Sequence, residues 1–205
     1  AEHVDRAVQS SARAFRSAAW QSLSAADRGR ILLRLADLVE KRAEELVELE
    51  LTDVGKPISQ LRGGEIPLLA AIIRFYAGAA DKIEGAVKAA GNGTLALTLW
   101  EPYGVVAGIL PWNYPLVNAG LKAAPALAAG NAIVWVPAPT TSACSLKLAE
   151  CFAEAEVPAG VVNVLTGPGP VVGDEIVSHR GTDAVGFTGS AATGRRIAER
   201  AAGKP

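Results

Sequence analysis

The chain has no methionine and only two cysteines and two histidines in 205 residues. Two thiols provide no disulfide framework, which fits a reducing, cytoplasmic compartment. Cys144 and Cys151 lie seven apart on one expected helix and lack partners for a metal, so no metal is expected; they read as small buried apolar residues. His3 and His179 stand in no G-x-S-x-G or other triad context, which leaves a serine hydrolase without support. Charge of one sign is also lacking: twenty basic residues face twenty-one acidic ones. No basic face points to nucleic acid, and no charge block forms a tail. Every long apolar run is broken by Pro, Gly, Asn or a charge, so no membrane span is expected. No signal-peptide pattern opens the chain, since Ala1-Glu2-His3-Val4-Asp5 already reads as helix. The missing methionine, at position 1 as elsewhere, reads as an internal piece of a longer polypeptide.

What is present is an apolar half, enough to bury a core of one domain or somewhat more. Residues 1–90 read as helical. Val4 to Trp20 is Ala-rich and amphipathic. Ser24 and Asp27 have capping-box spacing ahead of a stripe of Ile31, Leu32, Leu35, Leu38 and Val39. A further helix is expected from about Gly64 to Lys82, with Pro67 in its first turn. After the turn at Gly91-Asn92-Gly93, residues 94–101 alternate with period two, as a half-exposed strand does. Residues 91–102 therefore read as a hairpin-type strand. From Tyr103 to residue 205, strands near 103–110, 132–136, 161–166 and 184–188 alternate with helices near 115–129, 142–155, 170–178 and 191–202. The predicted fold is α/β: a Rossmann-like parallel sheet with flanking helices and right-handed crossovers, preceded by a helical layer and the hairpin-type strand.

In such a sheet ligands sit at the strand carboxyl ends. Asn113, in the corner Pro111-Trp112-Asn113-Tyr114 after the first of these strands, is placed to donate to a developing oxyanion; a buried turn Asn satisfying local backbone is the alternative. Gly167-Pro168-Gly169 with Gly173 follows a strand and opens a helix, as a pyrophosphate loop does. Its G-x-G-x-x-x-G spacing is one residue too long for the usual fingerprint, and plain turn glycines fit equally. Gly186-Phe187-Thr188-Gly189-Ser190 ends the last strand at a helix N-terminus whose amides could meet phosphate; Ser190 also reads as a simple cap. Arg195-Arg196 stand where a phosphate-loop ATPase needs Lys and Ser/Thr, which removes that reading. Lys122, a lone Lys in a small-residue helix, reads by itself as solvated.

EPYGVVAGILPWNYP, LKAAPALAAGN, VPAGVVNVLTGPG and VGFTGS together resemble the aldehyde dehydrogenase superfamily, its betaine- and aminoaldehyde-type members in particular. The resemblance covers nearly the whole chain and implies its cofactor-binding half. It implies NAD (or NADP), an aldehyde as small-molecule substrate, and a homo-oligomer when full length, with the hairpin segment in subunit contacts. It assigns Asn113 to the oxyanion and turns Lys122 toward the same region. It puts Leu110, Pro111, Trp112, Val136, Pro137, Ala138, Pro139, Gly169, Gly173, Phe187, Thr188, Gly189, Ser190 and Thr193 at the cofactor. Two departures bear on function. Val136 and Pro139 replace the Lys and Glu that usually bond the adenosine ribose, which leaves NAD versus NADP open and implies weak binding. The E-L-G-G-K motif with the general base and the G-Q-x-C motif with the nucleophile are not found. The expected function is NAD(P)-dependent oxidation of an aldehyde to an acid by the full-length enzyme, with this chain inactive alone. A non-catalytic dinucleotide-binding or assembly module is the alternative.

Overall fold

The computed structural model describes residues 1–203; Lys204 and Pro205, the last two residues of the expected α/β core, lie outside the described residues. Four parallel strands make the central sheet. These are β3 (Val105–Ile109), β4 (Ala132–Val136), β5 (Val162–Val164) and β6 (Ala184–Phe187), in the order β5-β4-β3-β6. Valine and isoleucine fill β4 on both faces, and all five of its residues are buried, as expected for a central parallel strand. The connecting helices are α7 (Pro115–Ala128), α8 (Ser142–Glu154) and α9 (Gly169–Ser178), with α10 (Ala191–Ala202) after β6. The chain steps outward from β3 to β4 to β5, then returns to lay β6 on the other side of β3. That reversal puts a switch point between β3 and β6, where a crevice opens at the carboxyl ends.

The first part of the chain is α1 (Glu2–Phe15), α2 (Ala18–Gln21), α3 (Ala25–Lys41), α4 (Ala43–Val54), a short α5 (Ile58–Gln60) and α6 (Ile66–Ala79). A π-helical turn, Leu61–Glu65, joins α5 to α6. Ser24 caps α3 with the full reciprocal box, accepting from the Asp27 amide while the Asp27 carboxylate accepts from the Ser24 amide. The expected single helix from Val4 to Trp20 is split at Arg16-Ser17, where the Ser17 hydroxyl bonds the Ala14 carbonyl. The split lets Trp20 turn inward and donate its Nε1–H to the Gly130 carbonyl at 2.8 Å.

Two further features differ from the sequence reading. The stretch expected to be helical up to residue 90 ends in a strand, β1 (Ala86–Lys88), which pairs antiparallel with β2 (Ala96–Thr98). Three exposed residues offer no apolar alternation by which to recognise β1. Moreover, the helices do not form one layer. α3, α4 and α6 pack over α7 and α8 on one side of the sheet, while α1 crosses β3, β4 and β5 on the other side, beside α9.

Candidate functional site at the sheet switch point

β3 and β6 are in register from Val106↔Ala184 to Ile109↔Phe187. Beyond the last pair, the Thr188 amide bonds the Ile109 carbonyl at 3.1 Å, and the Leu110 amide bonds the Val136 carbonyl at 3.0 Å. These bonds bring Leu110, Val136 and Thr188 to one end of the sheet. Leu110, Val136 and Pro137 are buried; Pro111 and Ala138 are half-buried; Trp112 and Pro139 are exposed. Asn113 is exposed on its turn, so the alternative of a buried turn Asn does not describe it. Its neighbour Tyr114 is fixed from below, because both the backbone and side-chain amides of Asn118 bond the Tyr114 carbonyl at 2.9 Å.

Lys122 is not a solvated lysine. Its Nζ donates to the Thr188 hydroxyl at 2.8 Å, and burial pushes its pKa down. A Cβ on Gly186 would meet Lys122 Cδ at 3.0 Å, and one on Gly108 would meet Lys122 Cβ at 3.4 Å. The lysine stem thus lies across paired glycines of β3 and β6. Two glycines in otherwise Val- and Ala-rich strands were the signal available in the sequence.

The second wall of the site lies between α9 and α10. A cleft of about 290 Å³ is lined by Ile109, Gly169, Pro170, Gly173, Asp174, Thr193, Arg196 and Ile197. Nothing lies within 4 Å of the place a Cβ on Gly169 would take, and one on Gly173 would meet only Ile109 Cδ1 at 4.0 Å. Both glycines therefore leave room at the cleft. Asp174 closes its rim through ion pairs to Arg196 at 3.2 Å and Arg200 at 3.1 Å. Ser190 caps α10 by accepting from the Thr193 amide. The amides of Ala191 and Ala192 have no partner within the helix. Gly189 has a second explanation besides ligand approach: a Cβ there would sit 2.5 Å from the Phe187 ring.

Cys144 and Cys151 are fully buried in α8, and burial, first among the causes, raises the pKa of both. Among the described residues no group of three His, Cys, Asp or Glu side chains could hold a metal, and no helix is long and apolar enough to cross a membrane.

The aldehyde dehydrogenase family model matches residues 1–205. The chain belongs to the aldehyde dehydrogenase family. It is 45% identical over 197 residues to the mitochondrial aldehyde dehydrogenase family 2 member B4 of Arabidopsis thaliana, covering 96% of this chain and 37% of the relative. It is 43% identical to the mitochondrial benzaldehyde dehydrogenase of Antirrhinum majus, covering 98% and 38% respectively. The chain therefore spans less than two-fifths of these relatives. Among solved structures, the NAD+ complex of an aldehyde dehydrogenase from Bacillus cereus superposes with a TM-score of 0.95 at 41% identity, over 98% of this chain and 41% of that one. The aldehyde dehydrogenase KauB of Pseudomonas aeruginosa gives 0.96 at 38% identity, over 99% and 41%. Family membership accounts for both the α/β fold and its small antiparallel hairpin.

Proposed function

We propose that this chain is the dinucleotide-binding part of an NAD(P)-dependent enzyme that oxidises an aldehyde to a carboxylic acid. The observation that carries the reading is the meeting, at one switch point, of an exposed corner amide and a glycine-lined cleft. Gly169, Gly173 and Thr193 would face the adenine side of the cofactor. Val136, Pro137, Ala138 and Pro139 would run beside its ribose. Phe187, Thr188, Gly189 and Ser190 lead into the α10 N-terminus, whose amides suit a phosphate oxygen. Leu110, Pro111 and Trp112 would border the nicotinamide end. The bound cofactor supplies the hydride acceptor. Asn113 would donate to the oxyanion that forms when a nucleophile adds to the aldehyde, with Lys122 held nearby by Thr188.

The nucleophile does not come from this chain. Both cysteines are buried on α8, and thiols with raised pKa are poor nucleophiles. Mixed alone with aldehyde and excess NAD, the chain should produce no NADH absorbance above a protein-free blank. Calorimetric titration with NAD and with NADP tests the binding half of the reading: saturable 1:1 binding is expected, and its absence in folded protein would sink it.

The hairpin supports a homo-oligomer. Val87, Leu97 and Leu99 are 73%, 54% and 77% exposed, and a two-stranded ribbon is barely stable on its own. A second copy covering this face is the reading we favour, and light scattering after gel filtration decides it. We place the protein in the cytoplasm on its two unpaired thiols; because both curated relatives are named mitochondrial, imaging of the tagged full-length protein is the check.

A further inference from the structure

Next to the Asn113 corner, the helical layer encloses an acid pair that the dinucleotide reading does not use. Glu50 of α4 is fully buried, and Glu65, at the end of the π-helical turn, is 3% exposed. Glu65 Oε1 accepts from Lys56 Nζ at 2.6 Å and from Gln60 Nε2 at 3.1 Å. The same ammonium lies 3.5 Å from the centroid of the Tyr114 ring, and Gln60 also reaches the Tyr114 hydroxyl at 3.4 Å. Counted as ionised, Glu50 Oε1, Glu50 Oε2 and Glu65 Oε2 are buried with no donor. α4 packs directly against the π-helical turn that ends in Glu65, and the charge of Glu65 bears on the Glu50 carboxyl. Three orphaned acceptors in a closed core, two of them on charged carboxylates, would be severely destabilising; one proton engages one oxygen of each carboxyl and leaves only a single neutral carboxyl oxygen without a donor.

We propose that Glu50 and Glu65 hold a single proton between them, and that Lys56 reports its presence to Tyr114 beside the oxyanion corner. With the proton in place, Glu50, Glu65 and Lys56 together are neutral, and the ammonium is shared between Glu65 and the ring face. When the proton leaves for water, the cluster carries one net negative charge. The two carboxylates then compete with the ring for the ammonium.

The other groups facing Glu50 do not supply a second cation. Asp53, one turn on in α4, accepts from the Cys144 amide at 2.9 Å, and its charge adds to the repulsion. The Cys144 thiol of α8 is kept neutral by burial. Arg62 of the π-helical turn is engaged outside, with Glu44. Burial first, then the charge of Glu65, pushes the Glu50 carboxyl up to about 8.

The inference stands or falls on the ionisation of two side chains, and loss of NAD binding would leave it untouched. The test is carbon NMR of the whole chain labelled in glutamate carboxyls, with ring-proton shifts of tyrosine, from about pH 5 to about pH 9, below the phenol range. There are three tyrosines, so Tyr114→Phe assigns the ring. One glutamate should titrate several pH units above the rest, and the Tyr114 ring should shift with the same midpoint. Glu50→Gln should remove both transitions, and Lys56→Met should remove only the tyrosine response. If no glutamate titrates above about pH 6, or if the high transition survives Glu50→Gln, the shared proton is wrong. If the glutamate titrates while Tyr114 stays silent, the link through Lys56 is wrong. Should Glu50→Gln not fold, the two wild-type curves still decide both points.

Discussion

The two faces of the sheet do different work, and β4 shows it residue by residue. Ile133 and Trp135 point into a large cluster with Leu32, Leu116, Leu148 and Phe152, closed over by two layers of helix. Val134 and Val136 point the other way, into a smaller cluster with Val4, Val8, Ile176, Val177 and Ile197. That second side opens between α9 and α10 into the glycine-lined cleft. The larger packed cluster thus lies on one face and the glycine-lined cleft on the other, divided by the period-two alternation of a single strand. Substitutions at adjacent positions of β4 should therefore fail in different ways.

The largest effect is expected on the closed face. Trp135 is fully buried, with its ring 5.3 Å from that of Phe152. Trp135→Ala should cost about 3–5 kcal/mol in denaturant unfolding, while the folded fraction keeps its NAD affinity. Loss of binding with stability retained would break the division between faces.

Next in size is a pH effect, also on the closed side. Glu50 ordinarily titrates near 4.5 and is raised to about 8 in the fold. Between those values the native state holds a proton that the unfolded chain has released. Stability should therefore be full below about 4.5, fall as pH rises to about 8, and stay level above. The total is on the order of a few kcal/mol. Urea unfolding at a series of pH values should show this slope in the wild type and a flatter curve in Glu50→Gln.

The sequence made some of this division legible. A strand buried on both faces writes a continuous Val/Ile run, so β4 could be read to the residue and β3, β5 and β6 nearly so. Ser24-x-x-Asp27 announced its cap for the same local reason. What a stripe of apolar residues cannot say is against what it packs. Hence the sequence groups α1 with the helices that follow it, although it lies across the opposite face of the sheet. Lys122 looked solvated because nothing local shows that Gly108 and Gly186 pair beneath it. The burial of Glu50 is legible in the sequence, since it follows Leu46 and Val47 at helical spacing, on the buried stripe of α4. The turn after β3 that carries Asn113 and the glycines that open α9 are legible because strand ends carry turn chemistry, which is written locally.

A smaller effect separates binding from stability on the open face. Gly173→Val would send branched methyls toward the cleft, and Val is no worse than Gly in a helix. NAD affinity should fall at least about tenfold, or about 1.4 kcal/mol, with little change in unfolding. Val136→Lys should act in the opposite sense. It would restore an ammonium at the ribose and tighten binding by about tenfold, while lowering stability because Val136 is 2% exposed. Calorimetry paired with unfolding curves checks both. Unchanged affinity in folded Val136→Lys would mean that Val136 does not border the ribose.

The smallest effect compares like with like across the sheet. Ser24 on the closed side and Ser190 on the open side each accept from the amide three residues on, at 3.1 and 3.2 Å. Either change to Ala should cost about 1 kcal/mol by removing that acceptor. Saturating NAD should then tell the two caps apart. At Ser24 no ligand is near, so the deficit in melting temperature persists. At Ser190 the Thr193 amide is freed at the helix end proposed to face a phosphate, and a phosphate oxygen can replace the lost hydroxyl. The Ser190→Ala deficit should shrink with NAD bound, while the Ser24→Ala deficit does not. Equal deficits with and without NAD at both positions would remove the α10 N-terminus from the cofactor site and leave the cleft between α9 and α10 as its only anchor on that face.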